Sequence, residues 1–168
     1  MLKFTIYGEP FGKLNLRPRM MGKHASVYPP KENENYMKEV CNTLDSLETL
    51  KTFSEENPMF PKETPVNVKI VAYFKIPESH FKFYKKENVS RYDAKGQEML
   101  DGVIRPTKKP DLDNISKIVC DGITKYGKVW HDDCQVVSET MTKYYADEPR
   151  VEVEIEEVEG AKIDGEIS

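Results

Sequence analysis

The chain is most informative at residues 109–117, which read KPDLDNISK, and at residues 131–136, which read HDDCQV. Apolar residues in and after the first stretch recur at the three- and four-residue spacing of a helix with one buried face; they are Ile115, Ile118, Val119, Ile123 and Tyr126. We expect Asp113 to be the N-cap of this helix and Gly127 to end it. The pattern therefore predicts two pairs of aspartates around one helix.

A polar stripe is expected on the opposite side of the same helix. Asp113, Lys117 and Asp121 are spaced four residues apart, which places them on one face. For Asp121 we favour a surface ion pair with Lys117, a contact of little energetic value. Because Pro110 disfavours helical geometry at the residue before it, we expect an extended entry that brings Asp111 towards the same site.

Carboxylates and a lysine in this arrangement suit metal-assisted cleavage of a phosphodiester. Mg²⁺ prefers carboxylate and water oxygens, and we expect Mn²⁺ to be able to substitute for it. The ion would polarise the scissile phosphate and lower the pKa of a water that attacks in line. The predicted metal ligands are Asp111 and Asp113, with one or both of Asp132 and Asp133. Lys117 completes the predicted catalytic residues, and it would stabilise negative charge or orient the water.

Structural roles are the alternative for each of these residues. Asp113 could be only a helix cap, and the Asp132–Asp133 pair could be an acidic turn. An EF-hand loop is excluded, because Ile115 and Ser116 stand where that loop needs an oxygen ligand and a glycine. We favour the catalytic interpretation because all the features occur together, in order, downstream of a basic segment.

The same residues resemble the signature of the RusA family of Holliday junction resolvases, metal-dependent endonucleases of bacteria and prophages. That signature is Lys-Pro-Asp-x-Asp-Asn with a lysine soon after, a helix, and then Asp-Asp and Gln-Val, as at residues 109–114, Lys117 and residues 132–136. Residues 6–10 and 17–19 are similar to the opening strand, Gly-x-Pro turn and arginine segment of the family.

The resemblance implies an enzyme that resolves four-way DNA junctions by paired symmetric nicks during recombination and repair. It also implies a homodimer, because a four-way junction has approximate two-fold symmetry and paired nicks need two active sites. The stretches 53–64 and 79–101 look longer than a minimal member of the family needs.

Composition fits one intracellular domain. The 168 residues are 38% hydrophobic, so we expect one domain over residues 1–160 with a frayed tail at 161–168. The sequence contains no apolar run long enough to span a membrane. Three cysteines without a paired zinc spacing are typical of a reduced, cytoplasmic protein.

The net charge of −4 is unevenly distributed. Residues 1–31 contain six basic residues and one acid, whereas residues 147–168 contain nine acids and two basic residues. Clustered positive charge favours phosphate binding, and basic residues interleave with aromatic ones again after Ser79. The predicted DNA-binding residues are Lys13, Arg17, Arg19, Lys23, Lys82, Lys85, Lys86, Lys108 and Lys109. For the segment after Ser79, a solvated helix or loop whose aromatic residues pack on the sheet is an equally favoured alternative.

Strands interspersed with helices predict an α/β (α+β) domain with a mixed β-sheet and flanking helices. The predicted strands cover residues 2–7, 66–74, 135–145 and 151–158. A basic loop is expected up to Pro30, a helix at 33–50 and a proline-rich loop at 53–65.

Two other classes of function remain as rivals. One is a DNA-binding protein without catalysis, which would bind branched DNA and leave it uncut. The other is a metal-dependent nucleotide pyrophosphohydrolase, which would hydrolyse free nucleotides and ignore DNA. The basic N-terminal segment favours a macromolecular substrate, and the complete acidic signature favours catalysis.

Overall fold

Four strands form the central sheet of the computed structural model, which describes residues 1–21 and 24–160. Across the sheet the order is β1 (Leu2–Tyr7), β8 (Arg150–Glu157), β4 (Val66–Lys75) and β7 (Val136–Ala146). Strand β8 runs antiparallel to both of its neighbours, whereas β4 and β7 are parallel. This mixed sheet confirms the predicted α+β class, and all four predicted strands are present to within one residue at each end.

Two helices cover the sheet where its apolar residues point. Helix α1 (Lys31–Asp45) and helix α3 (Leu112–Tyr126) share one hydrophobic core with the strands. They approach each other closely, because a Cβ at Gly122 would lie 2.8 Å from Cβ of Val40. The residues predicted for the apolar face of α3 line this core, with Ile115, Ile118, Val119 and Ile123 fully buried and Tyr126 packed at the edge. Each such aliphatic side chain contributes about 1.5–3 kcal/mol through burial.

Two exposed hairpins were not predicted. Strands β2 (Arg17–Met21) and β3 (His24–Tyr28) form an antiparallel pair where we expected a basic loop. Strands β5 (Phe81–Tyr84) and β6 (Val89–Tyr92) form a second pair where we expected a helix or loop, and the short helix α2 (Ala94–Leu100) follows them. These hairpins are not paired with the central sheet and expose most of their residues, so no buried face marks their sequences as strands.

Helix α1 is shorter than predicted. It ends at Asp45, and a 3₁₀ turn at Glu48–Leu50 follows, although a continuous helix was expected to Leu50. The apolar pattern continues past the helix because Leu47 and Leu50 still pack against the core. Burial at these positions therefore does not distinguish an α-helix from a 3₁₀ turn.

Several general expectations can be compared with the described residues. None of their helices combines the length and the apolar character that crossing a bilayer requires. The three cysteines, Cys41, Cys120 and Cys134, are free thiols. Trp130 is fully buried and donates from Nε1 to Thr124 Oγ1 at 2.8 Å. The tail predicted at residues 161–168 lies outside the described part of the chain.

Candidate nuclease site

Helix α3 begins two residues earlier than predicted. Its N-cap is Asp111, whose backbone is extended (φ −73°, ψ 150°) and whose carbonyl accepts the first helical hydrogen bond, from Ile115 N at 3.1 Å. The assignment of Asp113 as N-cap was wrong, because Pro110 restricts only the residue before it and leaves the helix free to start directly afterwards. The Asp111 carboxylate makes no capping hydrogen bond, so it is not occupied by the helix itself.

Asp113 and Lys117 form an ion pair on the exposed side of the first two turns. Lys117 Nζ lies 3.1 Å from Asp113 Oδ2, and both side chains are more than half exposed. The hydrogen bond from Lys117 lowers the pKa of the Asp113 carboxyl. Gly127 ends the helix in the left-handed conformation (φ +79°), as predicted.

Asp121 has a different partner from the one expected. Its Oδ2 lies 2.6 Å from Nζ of Lys13, whereas Lys117 is paired with Asp113. The pairing with Lys13 depends on the loop between β1 and β2, which a reading of the helix alone does not include. Lys13 therefore joins the basic N-terminal segment to the acidic face of α3.

The loop of residues 10–16, which contains Lys13, lies directly on the start of α3. Lys13 N donates to Asn114 O at 2.8 Å, and a Cβ added at Gly12 would lie 2.5 Å from Cβ of Pro110. Asn33 fixes the next residue of the loop with two hydrogen bonds of 2.9 Å, donating from Nδ2 to Leu14 O and accepting at Oδ1 from Leu14 N. Asn33 is only 3% exposed, so both of its amide atoms are used in this contact.

Two clefts flank this loop. One, of about 400 Å³, lies between the loop and the start of α3 and is lined by Lys13, Lys109 and Asp111 among others. The second, of about 410 Å³, lies on the other side of the loop and includes Lys117 and Asp121. Both clefts place cationic and anionic side chains of the predicted site at an open surface.

The second aspartate pair occupies a turn just before β7. The Asp132 carboxylate accepts from Cys134 N at 2.9 Å, which caps the 3₁₀ turn Asp133–Gln135 and lowers the pKa of Asp132. Gln135 is 6% exposed and connects the turn to the loop that leads into β4. Its Nε2 donates to Pro61 O at 2.8 Å, and its Oε1 accepts from His131 N at 2.9 Å. Asp132 is thus a structural cap, in agreement with the alternative interpretation of an acidic turn.

Asp133 faces a different environment from Asp132. Burial raises the pKa of Asp133, and the negative charges of Asp132 and Asp121 raise it further, whereas Lys13 lowers it. The Asp133 carboxylate therefore lies within electrostatic reach of the Lys13–Asp121 pair on α3. Asp121 is two turns beyond Asp113, a distance of roughly 12 Å along the helix axis.

The two aspartate pairs do not converge on a common point. Among residues 1–21 and 24–160, no group of three or more His, Cys, Asp or Glu side chains is arranged to hold a metal ion. The predicted ligands are nevertheless all carboxylates, the donors that Mg²⁺ prefers. The chemistry of the donor set fits this ion, and the four-aspartate ligand set stays a prediction.

The predicted DNA-binding residues occur in several environments. Arg17 Nη2 lies 2.9 Å from Glu32 Oε1, and Lys82 Nζ lies 3.1 Å from Asp93 Oδ2. Lys108 and Lys109 are exposed just before α3. Lys85 and Lys86 are exposed, and their ammonium groups have no ion-pair partner in the described part of the chain. The Arg19 side chain and the whole of Lys23 lie outside the described residues.

Sequence reasoning missed three residues that position the site. Asn33 fixes the 10–16 loop, Gly12 permits its contact with Pro110, and Gln135 holds the acidic turn. Gln135 was visible as part of the HDDCQV stretch. Asn33 gives no such signal, because a polar residue near the start of an amphipathic helix is ordinarily exposed.

Comparison with known proteins identifies the family of the chain. Residues 8–156 match the family described as endodeoxyribonuclease RusA. The chain is also 31% identical over 157 residues to the uncharacterized protein YqaN of Bacillus subtilis (strain 168). The aligned region covers 94% of this chain and 96% of that protein. The matched region includes the 10–16 loop, helix α3 and the Asp132–Asp133 turn. The chain therefore belongs to the RusA family of endodeoxyribonucleases.

Proposed function

We propose that this chain is a Mg²⁺-dependent endonuclease that resolves four-way DNA junctions by paired nicks during recombination and repair. The observation that supports this most is the contact between the 10–16 loop, which carries Lys13, and helix α3. It places the side chain of Lys13 beside an acidic helix face, as cleavage of an anionic backbone requires. The match to a family of DNA endonucleases supports the same conclusion.

Asp111, Asp113 and Asp133 are proposed to bind the metal ion, which requires the turn that carries Asp133 to move towards the start of α3 when the ion binds. Asp111 lines the first cleft and is not used as a cap, and Asp113 is exposed beside it. Asp133 is preferred over Asp132 because the Asp132 carboxylate is already engaged with Cys134 N. When bound, Mg²⁺ supplies positive charge that polarises the scissile phosphate, and Mn²⁺ is expected to serve as well.

The cationic residues around the site are proposed to hold the DNA. Lys109 and Lys13 line the cleft that also contains Asp111, so a phosphate bound there would lie close to the carboxylates. Lys117 is released from Asp113 if that carboxylate turns to a metal ion, and its ammonium can then stabilise charge on the phosphate. Each phosphate contact makes the slope of log affinity against log salt more negative by about 0.9 on duplex DNA.

A homodimer is proposed as the active form. A four-way junction presents two equivalent strands related by approximate two-fold symmetry, so two copies related by the same symmetry could nick both strands. We propose that the protein performs this reaction in the cytoplasm. Mass measurement in solution tests the dimer directly, and a monomer at working concentration would contradict it.

The decisive experiment compares a labelled four-way junction with a linear duplex of matching sequence, in Mg²⁺ or EDTA. Wild type is expected to make symmetric nicks in the junction only, and only with Mg²⁺. Asp113→Asn should bind the junction with unchanged affinity and cut it at least about 100-fold more slowly. Binding without cleavage by wild type would indicate a non-catalytic DNA-binding protein, and hydrolysis of free nucleotides alone would indicate a pyrophosphohydrolase.

A further inference from the structure

The β5–β6 hairpin is firmly attached at its base. The Asp93 carboxylate accepts from Gly96 N at 2.8 Å and from His80 Nδ1 at 3.2 Å, and it pairs with Lys82 at 3.1 Å. Interaction with Asp147, in the turn between β7 and β8, raises the pKa of Tyr92, so the last residue of the hairpin lies beside that turn. The base of the hairpin is therefore closed by Asp93, and Tyr92 places it beside the turn between β7 and β8.

This attachment places the hairpin at the same end of the sheet as the start of α3, whereas the Asp132–Asp133 turn lies at the beginning of β7. Gly8 N, just before the 10–16 loop, donates to Pro149 O at 3.0 Å in the β7–β8 turn. Near the end of β7, Lys143 Nζ donates to Lys108 O at 2.8 Å, directly before the start of α3. The hairpin base, the 10–16 loop and the first turn of α3 thus all adjoin the end of the sheet where β7 leads into β8.

Aromatic side chains are exposed on one face of the hairpin. In the antiparallel register Phe81 faces Tyr92 and Phe83 faces Ser90, so these four residues share a face. Phe81 packs edge-on against Tyr92 with ring centroids 5.1 Å apart, which leaves Phe83 beside a serine. Phe83 is 57% exposed and Phe81 is 52% exposed, so two neighbouring rings on this face form an apolar surface that is open to solvent.

Positive charge is concentrated at the tip of the hairpin. Residues 81–92 contain four cationic side chains and one acid, Glu87. Arg91 already pairs with Glu87 at 2.8 Å and lies over the Tyr84 ring. Lys85 and Lys86 are left as exposed ammonium groups with no partner in residues 1–21 and 24–160.

We infer that the β5–β6 hairpin binds unpaired nucleotides at the branch point of the DNA, with Phe83 stacking on a base and Lys85 and Lys86 binding phosphates. An exposed ring beside free cations is the combination that single-stranded nucleic acid requires, because stacking recognises any base and lysines follow the backbone. A protein partner would be less suited to this surface, since lysines are depleted at protein interfaces. The inference rests on the proposed function, because it assumes that branched DNA is the substrate.

The test measures affinity for a four-way junction and for a linear duplex in EDTA, where no cutting is expected. Phe83→Leu keeps an apolar surface and removes the ring, and it should weaken junction binding about 5- to 150-fold with duplex binding unchanged. Phe83→Tyr should restore junction binding. A junction with 2-aminopurine beside the branch point should change its emission on binding wild type and not on binding Phe83→Leu.

The two lysines are tested through salt dependence. Lys85→Ala/Lys86→Ala should make the slope of log affinity against log salt shallower by about 1.4, the value for two phosphates of a single strand. The matched control is Lys38→Ala/Lys62→Ala, which removes two exposed ammonium groups elsewhere and should change the slope by much less.

The outcomes separate this inference from the proposed function. If wild type binds the junction and all hairpin variants bind it equally well, the hairpin inference is overturned and the proposed function stands. If Phe83→Leu weakens duplex and junction binding alike, the hairpin does not recognise the branch point, which also contradicts the inference. If wild type does not bind the junction, both fail together.

Discussion

Lys13 Nζ lies 2.6 Å from Asp121 Oδ2, so a cation proposed to contact DNA is neutralised by a carboxylate of α3 in the protein alone. Asp121→Asn should release this ammonium and tighten junction binding. The slope of log affinity against log salt is expected to steepen by up to about 0.9, the value for one additional phosphate contact. Stability should fall by less than about 1 kcal/mol, because both side chains are partly exposed.

The control for this variant is Glu34→Gln, which removes one negative charge from an exposed position of α1. It corrects for the general effect of net charge on DNA affinity. If both variants steepen the salt dependence equally, the Lys13–Asp121 pair has no specific role in DNA binding.

Asp132 and Asp133 should differ in function although they are adjacent. Asp133→Asn is expected to lower cleavage by at least about 100-fold while raising stability near neutral pH. The pKa of Asp133 is higher in the folded protein than in the unfolded chain, so at neutral pH the ionised carboxylate opposes folding. Asparagine has no charge and removes this cost. The stability gain should disappear at pH values below the ordinary range of the aspartate pKa.

Asp132→Asn supplies the comparison, because asparagine is also a good cap and should retain both the turn and most of the cleavage. Cleavage rates in Mg²⁺ and urea unfolding at several pH values measure the difference. Equal loss of cleavage in both variants would show that Asp132 is not only a cap.

Gln135 should control the position of the acidic turn. Gln135→Glu retains the oxygen that accepts from His131 N and loses the Nε2 donor to Pro61 O and Thr64 O. In the variant a carboxylate oxygen would face the backbone carbonyl oxygens in place of the amide donor. Losing this buried hydrogen bond should lower the free energy of unfolding by about 1–3 kcal/mol. Urea unfolding measures this cost, with Gln97→Glu on the exposed face of α2 as the control. A cost no larger than that of the control would contradict the role of the amide donor.

Gly12 should be required for the contact between the 10–16 loop and α3. In Gly12→Ala the new Cβ would lie 2.5 Å from Cβ of Pro110, so the loop must move away from the helix. Gly122→Ala creates a similar conflict with Val40 at 2.8 Å, on the core side of α3. Both variants should lose about 1–3 kcal/mol of stability. Only Gly12→Ala should also weaken junction binding, and equal binding by the two variants would contradict a role of this loop in DNA binding.

Asp93 should make the base of the β5–β6 hairpin sensitive to acid. The hydrogen bond from Gly96 N, together with His80 and Lys82, lowers the pKa of Asp93 to about 2. A lowered carboxyl pKa contributes stability that is present above the unfolded pKa near 4 and is lost as pH falls towards 2. Asp93→Asn should therefore be less stable than wild type at pH 7, and the difference should vanish at the acid end of this range.

Unfolding of both proteins by urea at pH 7, 4 and 2.5 measures that difference. Asp101→Asn, at the other end of α2, is the control and should show a smaller change with pH. A constant difference between wild type and Asp93→Asn across the range would contradict the assignment of the lowered pKa.

The sequence predicted the parts of the fold in which one face is buried. The strands of the central sheet and the apolar face of α3 were found because burial imposes a period on their sequences. The two exposed hairpins have no buried face to impose such a period, and they were missed. The pairing of Asp121 was wrong for a different reason, since its partner Lys13 is over a hundred residues away in sequence and is brought to α3 only by the folded 10–16 loop.

Trp130 gives this protein an intrinsic optical signal for its acidic turn. It is the only tryptophan of the chain, it is fully buried, and it lies two residues before Asp132. Its emission should therefore move to longer wavelength when the turn separates from the core, without any attached dye. Titrating Mg²⁺ into the unlabelled protein and recording this emission would reveal whether the turn rearranges when the ion is added.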